Sequence, residues 1–191
     1  MGVCHDGGMI TRYIAFLRGI NVGGRNVKKA EFVAPFEAVG FSAVETFIAS
    51  GNVIAVTSST TKPATLEVAL EAALKEALGF GVATFLRSDA EVAAVAAYNP
   101  FPDVVRDDLH TLHVTFLRAP APKSLRDDLL AAANEEDLFA FDGREFYWLR
   151  HGRMTDTTLP KAVVRKLSVG GEGTARNMTT VRKLAEKYPP T

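Results

Sequence analysis

Strand-forming and helix-forming segments alternate along this chain in one order, and that order then repeats. Residues 12–18 (RYIAFLR) are apolar and β-rich, 28–39 (KKAEFVAPFEAV) carry a helical pattern that stops at Gly40, and 43–48 (AVETFI) are extended again. Ser50-Gly51-Asn52 then turns a hairpin into NVIAVT, because Gly and Asn tolerate the positive φ of a tight turn. In PATLEVALEAALKEALG, Leu66, Leu70, Leu74 and Leu78 recur every four residues behind Pro63, which predicts a helix ended by Gly79. VATFLR completes β-α-β-β-α-β, and Ser88 with Glu91 reads as a capping box opening a helix over EVAAVAAY.

Asn99-Pro100-Phe101-Pro102 breaks the pattern, and the second half resumes it. TLHVTFLR is a strand, KSLRDDLLAAA a helix, and LFAFDGREFYWLR a hairpin turning at Asp142-Gly143; TLPKAVVRKL is a helix, GTAR is extended and NMTTVRKLAEK is a final helix. The expected fold is therefore α+β, with two ferredoxin-like subdomains at 9–98 and 108–190, a linker at 99–107 and a disordered tail at 1–8. Phe16-Leu17-Arg18 and Phe116-Leu117-Arg118 end the first strand of each half. That coincidence fits an internal duplication, although shared strand propensity gives the same pattern.

Composition bounds the partners. Lys+Arg and Asp+Glu both total 22, so no global field draws the molecule to nucleic acid or membrane, and any anionic partner is attracted locally. The charge is uneven, with nine Lys or Arg against three Asp or Glu over 150–187 and five against twelve over 88–149. A single cysteine, Cys4, forms no intramolecular disulfide and no multi-cysteine metal site, which fits a reducing compartment and a cytoplasmic protein. No apolar run approaches the roughly 18–20 residues that span a bilayer, and MGVCHDGG is no signal peptide, so no membrane partner is expected. Oligomeric state is not legible.

The opening loop, LRGINVGGRN, is the first place to look for chemistry. Gly19 and Gly24 copy the glycine spacing of a phosphate-binding P-loop, in which small residues let backbone N–H groups converge on an anion. Arg25 and Asn26 stand where such a loop needs Lys and then Ser or Thr, so nucleotide hydrolysis here is not expected. Two readings remain: glycines permitting a sharp strand-to-helix turn, with Asn21 closing a local side-chain turn, and anion binding by Arg18, Arg25 and exposed amides. In a β-α-β-β-α-β unit the loop 19–27, the turn 50–52 and Gly79-Phe80-Gly81 fall at one end of the sheet. The candidate ligand-binding residues are accordingly Arg18, Gly19, Asn21, Gly23, Gly24, Arg25, Ser50 and Asn52. This rim holds donors and no base, which suits recognition of phosphate or carboxylate better than acid–base catalysis.

Other templates fit poorly. Ser59-Thr60-Thr61-Lys62 spells S-x-x-K without its companion motifs. His110 and His113 lie an odd number apart on a strand and point to opposite faces, and His151 has no partner in sequence, so no metal site and no cofactor are expected. Asp107-Asp108, Asp127-Asp128 and Glu135-Glu136-Asp137 lack calcium-loop spacing and read as solvated faces. Phe146 and Trp148 share one face between Arg144 and Arg150, which reads as core or interface before it reads as a base-stacking platform.

Taken together, LRGINVGG after a first strand, SGNV at a hairpin, NPF at mid-chain, LHVTFL in the next strand and TARNMTTVRKL near the C-terminus resemble the bacterial family of domain of unknown function 1697, over about residues 9 to 188. The resemblance implies no catalytic assignment. Where relatives resemble a Ser-Lys-Leu segment before the penultimate helix, this chain has Thr157-Thr158-Leu159-Pro160-Lys161, so no role for that serine carries over. Three functions stay open: a binder of a phosphate-bearing ligand (nucleotide or nucleic-acid backbone), an enzyme acting on a small anionic metabolite through the same rim, and a protein-interaction module.

Overall fold

The computed structural model describes residues 10–20, 27–48, 51–105, 107–153, 157–167 and 173–191. The tail 1–8 lies outside them. Along the chain run β1 (Thr11–Leu17), α1 (Ala30–Ala38), β2 (Ser42–Phe47), β3 (Asn52–Thr57), α2 (Pro63–Leu78), β4 (Thr84–Ser88) and α3 (Asp89–Ala97). There follow β5 (His110–Leu117), α4 (Lys123–Ala131), β6 (Asp137–Asp142), β7 (Glu145–His151), α5 (Lys161–Leu167), β8 (Gly173–Asn177) and α6 (Met178–Lys187). The strands make two four-stranded sheets, ordered β2-β3-β1-β4 and β6-β7-β5-β8, and every neighbouring pair is antiparallel. The chain divides into two compact units, one reaching Glu91 and including Pro189–Thr191, the other Val92–Tyr188.

In the first unit the leucine repeat of α2 does what its spacing predicts. Leu66, Leu70 and Leu74 are buried with Phe32 and Phe36 of α1 against Ala15, Leu17, Val53 and Leu86 of the sheet. Pro63 occupies the first turn, where its missing N–H costs nothing, and Gly79 ends the helix at φ 77, donating its N–H to the Lys75 carbonyl at 2.9 Å. The opposite edge of that helix has a second use, not visible in the leucine pattern. β4 is an edge strand, and its outward N–H groups at Thr84 and Leu86 donate to the carboxylates of Glu71 (2.7 Å) and Glu67 (2.8 Å). Glu67 is thereby buried, and an edge that otherwise invites pairing with another chain is covered.

The capping box is reciprocal: Ser88 Oγ accepts from Glu91 N at 3.1 Å, and Glu91 Oε2 accepts from Ser88 N at 2.8 Å. At the equivalent place in the second unit, Asn177 Oδ1 accepts from Thr179 N at 2.8 Å and starts α6. Helix α5 begins later than the sequence pattern suggests. Pro160 holds Leu159 out of the helical region, and the helix starts at Lys161.

The acidic run 135–137 corrects a sequence expectation. Asp137 is fully buried, its Oδ2 accepting from Arg150 Nη1 (2.8 Å) and Thr157 Oγ1 (3.1 Å), its Oδ1 from Trp148 Nε1 (2.8 Å). Glu136, about half exposed, takes the same Arg150 nitrogen at 2.9 Å. β6 and β7 bring Asp137 opposite Arg150, so the last residue of what reads as a solvated face forms an enclosed ion pair. Phe146 and Trp148 pack with Phe139 against Leu117, Leu129 and Leu159, as core residues.

Candidate functional site

The rim expected to bind an anion lies at the end of β1. Leu17 N donates to the Gly51 carbonyl at 2.7 Å and Arg18 N to the Ala83 carbonyl at 2.9 Å, so the hairpin turn and the segment leading into β4 meet there. Gly19 and Gly51 both adopt φ 73, and a Cβ on Gly51 would stand 3.0 Å from the Leu17 carbonyl oxygen, so this close approach requires glycine. Arg18 is half-buried. Asn52 is fully buried opposite Phe16, and its Nδ2 donates to the Phe47 carbonyl at 3.1 Å, so its amide closes the hairpin. Asn21, Gly23, Gly24, Arg25 and Ser50 lie outside the described residues.

A second group of polar side chains is assembled in the Val92–Tyr188 unit, and sequence reasoning missed it. Register between β5 and β7 sets His110 directly opposite His151, with ring centroids 4.7 Å apart at 57°. Asp107 precedes β5 in a turn in which its Oδ1 accepts from Leu109 N at 2.9 Å. The same oxygen lies 2.8 Å from His110 Nδ1, and Asp107 Oδ2 lies 3.6 Å from His151 Nε2. The hydrogen bond from His110 holds the Asp107 carboxyl below the ordinary carboxylate range. Asp107 and His110 line a polar pocket of about 350 Å³ together with Thr179 and Arg182 of α6. Spacing along the chain carried no signal of the histidine pair. β5 and β7 are not joined by a turn, so their register is set by the whole sheet.

On the other face of β5, as the odd separation requires, His113 lines an apolar cavity of about 310 Å³ with Phe146, Trp148, Val164 and Leu167. Its Nδ1 is buried and has no hydrogen-bond partner among the described residues. Desolvation lowers the His113 pKa from the usual 6.5. The unfolded chain therefore takes up this proton at a higher pH than the folded chain does. The stabilising difference is complete above pH 6.5 and is lost progressively as pH falls below it. Melting temperatures of the wild type and of His113→Leu, compared between neutral pH and moderate acid, check this: the wild type should lose more on acidification. Equal losses would assign the acid sensitivity to other groups.

The fold defines a class before any relative is considered: an α+β protein with two antiparallel four-stranded sheets and six helices among its described residues. The chain belongs to the family described as protein of unknown function (DUF1697), whose model matches residues 10–147. The fold is similar to that of the conserved bacterial protein SP0830 from Streptococcus pneumoniae, with a TM-score of 0.74 and 22% identity over 94% of this chain and 99% of that one. Comparison with curated protein sequences returned no match. Among the described residues, no helix is long and apolar enough to cross a membrane.

Proposed function

We propose that this protein binds a phosphate-bearing ligand, a nucleotide or a nucleic-acid backbone, at the rim where β1 ends. The observation that carries the reading is the convergence of Gly51 and Ala83 on Leu17 and Arg18, which sets the main chain of a half-buried arginine at a junction of three chain segments. Arg18 supplies charge-assisted hydrogen bonds, Gly19 and Gly51 let backbone approach closely, and Asn52 shapes the turn rather than contacting ligand. Asn21, Gly23, Gly24, Arg25 and Ser50 belong to the same proposal by their place in the sequence. We also read the two units as ferredoxin-like subdomains related by duplication, in a bacterial cytoplasmic protein. Identical strand orders support this, as does the matching bond from Leu117 N to the Arg144 carbonyl at 2.9 Å. So do Arg87 and Arg176, both buried, opposite Ile14 and Val114 of the two central strands.

Thermal unfolding in the presence of nucleotides, pyrophosphate, sugar phosphates and short RNA tests the reading. An anion at about 100 times its dissociation constant adds about 2.7 kcal/mol of stability, a shift of several degrees. No shift with any of them would contradict the proposal.

A further inference from the structure

We propose that Asp107, His110 and His151 form a binding site for one first-row divalent metal ion, with coordination positions open to the polar pocket beside them. This inference is separate from the rim reading and stands in the other compact unit. Its ligand set is two imidazoles and one carboxylate, and one candidate ligand atom from each side chain lies within 4.8 Å of the other two. Ligand atoms bound about 2.0–2.2 Å from one metal are roughly 3–3.5 Å apart, so modest side-chain rotation closes the set. The freedom lies where it is needed. His110 is nearly enclosed, with 14% of its side chain exposed, and already meets Asp107, while His151, at 39%, has room to turn toward them.

The backbone under the three residues is fixed. His151 N donates to the Glu136 carbonyl at 2.8 Å and Gly152 N to the Leu109 carbonyl at 3.0 Å, so the chain on either side of the histidine pair is held. The Asp107 carboxylate already lies beside the two rings, one oxygen near a nitrogen of each, and accepts from the Leu109 N–H. A carboxylate held in place by a backbone donor is the kind of outer support that metal ligands use.

Ligand chemistry selects the ion. Imidazole nitrogen favours zinc, nickel, cobalt, copper or iron, whereas magnesium and calcium take all-oxygen sets. Three protein ligands leave at least one position free, and that side faces the pocket containing Thr179 and Arg182. One carboxylate against a divalent ion leaves a local net positive charge next to the exposed Arg182 guanidinium. The open positions therefore suit a small anionic ligand, a carboxylate or a phosphate.

The test uses untagged full-length protein freed of metal by chelation and then titrated with Co²⁺ and with Zn²⁺, without added anion. Calorimetry reads stoichiometry, and visible absorption reads the Co²⁺ ligand field. One ion per chain is expected, with cobalt absorption that reports nitrogen and oxygen ligands. His110→Ala, His151→Gln and Asp107→Asn should each weaken binding by about tenfold or more, whereas His113→Ala, on the opposite face of β5, should leave it unchanged. Circular dichroism checks that each variant is folded, and the exposed positions Asp107 and His151 keep the test decisive if His110→Ala is not. Arg18→Ala should bind metal as the wild type does, which separates this inference from the rim reading. No uptake at metal concentrations up to about 1 mM, or binding that survives the His110 and His151 substitutions, would overturn the proposal.

Discussion

Asp137→Ala is expected to lower the melting temperature by on the order of 10 °C, from a loss of about 3–5 kcal/mol. The carboxylate is fully buried and accepts from Arg150, Trp148 and Thr157. Removing it takes from the almost wholly buried Arg150 guanidinium its fully buried carboxylate partner, while Glu136, half in solvent, and the Arg153 carbonyl still accept from it. The indole N–H of Trp148 and the Thr157 hydroxyl lose their acceptor at the same time. Weakening the compensation of a buried charge costs more than the pair itself contributes, so the effect is that of breaking the network rather than of deleting one bond. Because Trp148 is the only tryptophan, its fluorescence should report the loss directly. A change below 1 kcal/mol in urea or thermal unfolding would mean that Arg150 finds equivalent partners without Asp137.

Leu70→Ala is expected to cost about 2–5 kcal/mol, through lost burial and the cavity left behind. Leu70 is fully buried at the centre of the α2 face, one turn from Leu66 and from Leu74, over the β1 and β3 residues that form the first unit's core. Ala keeps the helix and its capping, so circular dichroism of the folded variant should match the wild type while the denaturant midpoint falls. The neighbouring Val68, exposed on the opposite side of the same helix, supplies the control: Val68→Ala should change stability by less than about 0.5 kcal/mol. Equal effects at both positions would refute the assigned core face.

These two residues also mark how far the sequence could be read. Leu70 belongs to a repeat whose period is local, so the helix, its Pro63 start, its Gly79 end and its buried face follow from residues within one stretch. The capping box at Ser88 and Glu91 and the turn at Gly143 were legible for the same reason. Asp137 was not, because its meaning depends on Arg150, thirteen residues away across a hairpin whose register decides which side chains face inward. His110 and His151 are farther apart and face each other only because β7 lies next to β5 in the finished sheet. Glu67 and Glu71 lie outside the leucine repeat, and their bonds to the free edge of β4 depend on a strand more than ten residues further on. In each case the local pattern gave the element, and long-range pairing gave the polar side chain its partner.

At the rim, we divide the described residues into those that shape the turn and one charge, Arg18, assigned to the ligand. Gly51 and Asn52 hold the hairpin against β1, while the Arg18 main chain is tied to Ala83. The most direct measurement is calorimetric titration of the wild type and of Arg18→Ala with pyrophosphate or with whichever anion gives the largest thermal shift. Arg18→Ala is expected to melt within a degree or two of the wild type and to bind at least tenfold more weakly, the loss of one charge-assisted hydrogen bond of about 1.5–3 kcal/mol. Equal affinity in the two proteins, or an Arg18→Ala variant that unfolds, would contradict the account and make the residue a structural one.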